Sequence, residues 1–256
     1  MTQHHFQLES LHNQVALAIS INDIQVFVDR FHTMPNNQVS INQWLYNGEN
    51  IIDINISVNP RFEHQLRAQS ASIKVVHYSG VKPDFTPSTV KEIQWKYAPD
   101  ETAFPVNLHD LFTLEIPYGN WSWQRGVSLT KETIPLDSLH EFLTRVHTAL
   151  AAKDFEALKP VLQTKATELA LAYSIELSER LSGQADFFKE LFANPAWAMQ
   201  PLNLEEIQPI FHAQGRLVEI VDRKGMSPLK STDLDGDTFS LPMRLSLIDN
   251  CWVLCR

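Results

Sequence analysis

Two periodicities divide the chain. Over the first ~128 residues apolar side chains alternate with small or polar ones, which marks strands with one dry and one wet face. Val15, Leu17, Ile19 and Ile21 open the series, and Ile24, Val26 and Val28 continue it. The clearest run sets Ile52, Ile54, Ile56 and Val58 against Asp53, Asn55 and Ser57. Ile73, Val75 and His77 follow, then Ile93, Trp95 and Tyr97, then Phe112, Leu114 and Ile116; Trp121 and Trp123 close the series. Prolines at 60, 83, 87, 99, 105 and 117 mostly fall between these runs, where they punctuate strands. About seven or eight short strands without a helical stretch predict an antiparallel β-sandwich over residues 1–130.

After Thr130-Lys131-Glu132-Thr133-Ile134-Pro135 the period lengthens. Ser138-Leu139-His140-Glu141 has the form of a capping box, with Asp137 as the rival cap. Leu139, Phe142, Leu143, Val146 and Leu150 then follow a helical apolar face. A longer helix is expected over 155–182, with Pro160 tolerated in its first turn. Its stripe is Leu162, Ala166, Leu169, Tyr173, Leu177 and Leu181, with Glu176 and Arg180 as an i,i+4 pair on the other side. Gly183 is expected to end it, and a short third helix to run from Gln184 to Phe192. Strands then return over 207–214, 217–223, 238–248 and 251–256, joined by short turns that favour an antiparallel meander. The expectation is thus an α+β domain over 131–256 following the sandwich.

Two segments carry resemblances. Ile41-Asn42-Gln43-Trp44-Leu45-Tyr46-Asn47-Gly48-Glu49-Asn50-Ile51-Ile52-Asp53-Ile54 resembles the signature of galactose-binding-like jelly-roll domains, in which two apolar anchors precede Gly-x-Asn and a strand. The likeness implies that Trp44 and Leu45 plug the sandwich and that Gly48 and Asn50 make the turn. Helices followed by a four-stranded meander resemble the NTF2-like and cystatin-like families over 136–256. In an NTF2-like domain the long helix and curved sheet enclose a pocket, for which Tyr173, Glu176, His212, Arg216 and Arg244 are the candidates here. The whole chain resembles two-domain bacterial proteins often encoded near secretion-system effectors.

Glycine changes the functional picture. Only eight occur among 256 residues, and no two lie close enough for G-x-G-x-x-G, a Walker A loop or a G-x-S-x-G elbow. Ser122 and Ser128 accordingly lack elbow spacing. Among ten histidines there is no H-E-x-x-H; His140 and His147 are about 10 Å apart along one helix, too far to share a metal. Asp233-Leu234-Asp235-Gly236-Asp237 resembles a calcium loop, but Thr238 and Arg244 occupy the positions where Gly and Glu are needed. A polar hairpin turn is the expected reading. Cys251 and Cys255 are expected as unpaired thiols, their Cα atoms about 13 Å apart in a strand. No metal or cofactor is expected.

The formal charge of −9 argues against nucleic acid and an anionic membrane surface as partners. No apolar run approaches the ~20 residues of a membrane span, and no signal-peptide pattern stands at the N-terminus, so a cytoplasmic location is expected. The leading expectation is a non-catalytic protein-binding protein, such as an immunity protein that masks a basic toxin domain. Its candidate contacts are Tyr118, Trp121, Trp123 and Arg125, with Phe187, Phe188 and Phe192 as a second aromatic group. The alternatives are an NTF2-like enzyme or small-ligand receptor using the C-terminal pocket, and a sandwich that binds carbohydrate through Trp121 and Trp123.

Overall fold

A computed structural model describes residues 3–31, 33–62, 69–81, 84–98, 103–232 and 237–256. The Asp233–Gly236 part of the calcium-like loop lies outside the described residues. The chain falls into two compact units: Met1–Asn120 with Ala172–Ser174, and Trp121–Leu171 with Ile175–Arg256.

The first unit holds two four-stranded antiparallel sheets. Strands β1 (Gln3–Asn13), β2 (Val15–Ile21), β3 (Ile24–Asp29), β4 (Asn36–Ser40), β5 (Gly48–Val58), β6 (Ser70–Val81), β7 (Asp84–Lys96) and β8 (Val106–Leu114) pair in the orders β4-β1-β6-β7 and β3-β2-β5-β8. The predicted alternation is realised in β5, where Ile52, Ile54 and Ile56 are buried and their neighbours are not. The arrangement is sandwich-like, with Phe6, Leu8, Ile19, Ile73 and Val75 in its interior.

Strand β1 is a correction. The alternation opens only at Val15 and marks no strand before it, yet Gln3–Asn13 pairs along its length with β6 and also with β4. Its inward positions are Phe6, Leu8, Ser10 and His12, and the two polar ones break the alternation that would announce it. His12 Nε2 lies 3.3 Å from Asp29 Oδ2 inside the sandwich.

Around the Gly48–Asn50 turn, Trp44 and Leu45 are buried. Asn50 Oδ1 accepts from Tyr46 N (2.7 Å), and its amide donates to the carbonyls of Tyr46 and Gly48 (3.0 Å each). Asn22 completes the arrangement. It occupies the β2–β3 turn at φ 54°, and its amide donates to Trp44 O (2.7 Å) and Asn50 Oδ1 (2.9 Å). An Asn can hold that left-handed conformation at little cost.

In the second unit, Trp121 and Trp123 depart from the expected strand: Ser122–Arg125 forms a 3-10 turn. Gln124 stabilises it by accepting from Trp121 N at 2.6 Å. The following residues run along the C-terminal sheet, with Val127 N donating to Leu247 O (2.9 Å) and Leu129 N to Gly215 O (3.0 Å). Those bonds attach residues 121–130 to the second unit, so the division falls at 120/121 rather than 130/131. Gly126 is required by close approach, since a Cβ there would stand 2.0 Å from Ser246 Oγ.

Helix α1 (Leu136–Ala151) buries Leu139, Phe142, Leu143, Val146 and Leu150, as the pattern predicts. Its start differs: Pro135 occupies the cap position and no side chain caps the helix. Ser138 instead donates to Pro135 O (3.1 Å) and accepts from Trp252 Nε1 (3.0 Å). Helix α2 (Phe155–Tyr173) and helix α3 (Leu177–Ala193) replace the single long helix expected over 155–182. Ser174 turns left-handed at φ 52°, and Ile175 N closes the end of α2 on Ala170 O (2.9 Å). Gly183 therefore lies inside α3, not at a helix end.

Strands β9 (Gln208–His212), β10 (Leu217–Val221), β11 (Met243–Ile248) and β12 (Cys251–Leu254) form an antiparallel meander in the order β12-β11-β10-β9. Residues 239–241, expected inside the third of these, precede β11. Ser240 bridges Lys230 there, and Leu241 N donates to Leu229 O. Val218, Ile220, Met243, Leu245 and Leu247 of the sheet join the apolar core with the α1 residues, Leu158 and Leu162. Among the described residues, no helix is long and apolar enough to cross a membrane.

Candidate functional site

A cleft of about 500 Å³ opens in the second unit. Leu162 and Lys165 come from α2, Ile175 from the α2–α3 turn, and Glu179, Arg180, Gly183, Gln184, Phe187 and Phe188 from α3. Phe239 and Leu241 complete it. The helix break at Ser174 creates it, because a single helix over 155–182 could not set α3 residues against Leu162 and Lys165.

Gly183 lines the cleft with bare backbone. A Cβ at this position would meet nothing within 4 Å, and its φ lies outside the left-handed region. Neither packing nor backbone conformation calls for glycine, which costs a helix interior about 1 kcal/mol relative to alanine. Its effect is to leave room between Arg180 and Phe187.

The lining is largely apolar, yet two cations enter it. Lys165 has no ion pair or hydrogen-bonded side-chain partner among the described residues. Burial pushes its amine down from the usual lysine range to about 8, and the guanidiniums of Arg180, Arg256 and Arg244 depress it further in the same direction. Arg180 has no carboxylate partner among the described residues either, and its Nε is buried without a hydrogen bond. The expected Glu176–Arg180 pair does not form. Glu176 stands at the N-cap of α3 in extended conformation, and Arg180 turns to the cleft.

The other two arginines are neutralised. Arg256 is ion-paired with Glu168, whose second oxygen accepts from Ser122 N at 2.5 Å. The Arg256 guanidinium also lies 4.7 Å from the centre of the Trp121 ring, a cation–π distance. Arg244 Nη2 lies 3.2 Å from Glu219 Oε2, and His212 Nε2 is 3.1 Å from the same oxygen. Glu219 and Arg244 are direct partners in the β10–β11 register. They share the sheet face opposite Val218 and Met243, so the pair crosses the strands as facing charges do.

Of the five pocket candidates, His212 and Arg244 are brought together through Glu219, which the sequence reading missed. None of the five lines the cleft. Tyr173 belongs to the first unit, its ring 6.2 Å from His5, and Glu176 and Arg216 are exposed. Among the candidate partner contacts, Tyr118, Trp121, Trp123 and Phe188 are buried. Asn42 donates to the Tyr118 hydroxyl at 3.0 Å, and burial, then Tyr173, raises that phenol's pKa. Phe192 is half-buried with its ring 5.3 Å from Trp197. Arg125 and Phe187 are exposed, Phe187 at 51%.

Neither a family model, nor a curated protein, nor a solved structure matches this chain. Cys251 is exposed and Cys255 buried, both unpaired. Burial pushes the Cys255 thiol up to about 12, against a hydrogen bond from Ser122. No group of three His, Cys, Asp or Glu side chains among the described residues is placed to hold a metal ion. Lys165 and Arg180 stand out because the chain is acidic overall. Sequence periodicity gave no sign of them, since both occur as ordinary polar positions of a helical stretch.

Proposed function

We propose that the second unit is a receptor for a small organic acid with an apolar body. The observation that carries this reading is the pair Lys165 and Arg180, two cations without carboxylate partners among the described residues, in a cleft lined by Leu162, Phe187, Phe188 and Phe239. Unpaired charge beside apolar surface is unfavourable in the free protein. An entering carboxylate relieves it, and the ligand's apolar part covers the phenylalanine rings. A volume of about 500 Å³ suits a single-ring or medium-chain acid.

This reading corresponds to the small-ligand alternative rather than to toxin masking or carbohydrate binding. The aromatic side chains that motivated those two are mostly internal, with Trp121 and Trp123 each 1% exposed. The order of helices then meander supports an NTF2-like or cystatin-like assignment for this unit. The buried Trp44-Leu45 pair and the Asn50-closed turn support a galactose-binding-like assignment for the first.

Amide NMR spectra of the intact protein test the proposal, with 4-methylbenzoate as probe. Saturable shifts centred on Lys165, Arg180, Gln184 and Phe239, and weaker ones with its methyl ester, are expected. Shifts scattered over both units, or equal for acid and ester, would overturn it.

A further inference from the structure

We propose that Lys165 forms a reversible imine with the aldehyde or ketone carbon of a small acid bound in the cleft. This deepens the receptor reading and rests on it. The geometry of the site separates two cationic roles. Arg180 holds a permanent charge at the cleft and is suited to the carboxylate. Lys165, with no ion-paired carboxylate among the described residues to keep it protonated, is suited to attack.

The charged groups around Lys165 favour its neutral form. Arg180 faces it from α3, and Arg244 and Arg256 act on it from the β11 and C-terminal segments. Glu168, one turn along α2, is taken up by Arg256 and the Ser122 amide. Glu179 is the carboxylate among the described lining residues. With the amine pushed down to about 8, roughly a tenth of the molecules carry a free lone pair at pH 7, against well under a thousandth for an ordinary lysine. A desolvated lysine near other cations is a known route to an amine nucleophile.

The step balances without any further reagent. The Nζ lone pair attacks the carbonyl carbon, the C–N bond forms, and the π electrons pass to oxygen. A proton moves from nitrogen to that oxygen to give a carbinolamine. Loss of water breaks the C–O bond and leaves the C=N bond, and addition of water reverses the sequence.

Intact protein mixed with equimolar 4-formylbenzoate and sodium cyanoborohydride tests this, read by intact mass and peptide mapping. One carboxybenzyl group per chain is expected on Lys165, formed about tenfold or more faster than on the exposed Lys159. The rate is expected to rise with pH through about 8 and to fall when 4-methylbenzoate competes. Lys165→Arg is expected to lose the label, since a guanidinium does not add to the carbonyl. If wild type binds 4-methylbenzoate but Lys165 labels no faster than Lys159, the imine is overturned and the receptor reading stands. If 4-methylbenzoate does not bind and no selective label forms, both fall.

Discussion

Lys165 and Glu168 stand one turn apart on α2, and only one of them has its charge answered. Glu168 receives Arg256 and the Ser122 amide, while Lys165 has no carboxylate among the described residues. Removing each side chain should therefore have opposite consequences. Glu168→Ala takes the ion-pairing carboxylate away from the buried Arg256 guanidinium and is expected to cost about 3–5 kcal/mol. Lys165→Met replaces an unpaired, partly buried amine with an apolar chain and is expected to be neutral or to stabilise by about 1 kcal/mol. Urea unfolding of both variants checks the contrast. A destabilised Lys165→Met protein would show that the lysine makes a structural contribution instead.

Gly183 separates stability from binding. Gly183→Ala should stabilise α3 by about 0.5–1 kcal/mol, because the added Cβ meets no neighbour. Gly183→Trp should fold and yet fill the space between Arg180 and Phe187. Thermal unfolding together with 4-methylbenzoate titration distinguishes the two effects. Full binding by Gly183→Trp would contradict the assignment of this cleft.

Asp29 gives the first unit a defined acid sensitivity. Burial pushes its carboxyl up, but the Met34, Thr33 and Phe31 amides together with His12 more than reverse this and hold it at about 2. Those amides donate over 2.6, 3.0 and 3.1 Å. Because the folded pKa lies below the ordinary 3.8, the stabilisation is present above about pH 4 and is lost as pH falls towards 2. Its size is about 2 kcal/mol. Stability measured between pH 5 and pH 2 should decline in wild type and decline less in Asp29→Asn. Equal slopes would contradict the assignment.

Much of the scaffold was legible because burial repeats regularly. Ile52, Ile54 and Ile56 announced β5, and Leu139, Phe142, Leu143, Val146 and Leu150 announced α1. Strand β1 was hidden because Ser10 and His12 occupy inward positions that alternation reserves for apolar side chains. The break at Ser174 had no glycine or proline to mark it, and the stripe from Leu162 to Leu181 runs straight through it. With that break unseen, the cleft was unseen too. The site depends on long-range placement: Arg180 and Lys165 acquire meaning only where α3 folds back beside α2. Trp121 looked like a contact surface from its composition, but its ring is occupied by Arg256.

The proposal is that an acid binds because Lys165 and Arg180 lack carboxylate partners among the described residues. Calorimetric titration of wild type and Arg180→Gln with 4-methylbenzoate at pH 7 tests it most directly. The account predicts one saturable site in wild type and about a tenfold or greater loss of affinity in Arg180→Gln, with the variant's unfolding temperature unchanged or higher. Equal affinity in the two proteins, or no saturable binding in wild type, would contradict it.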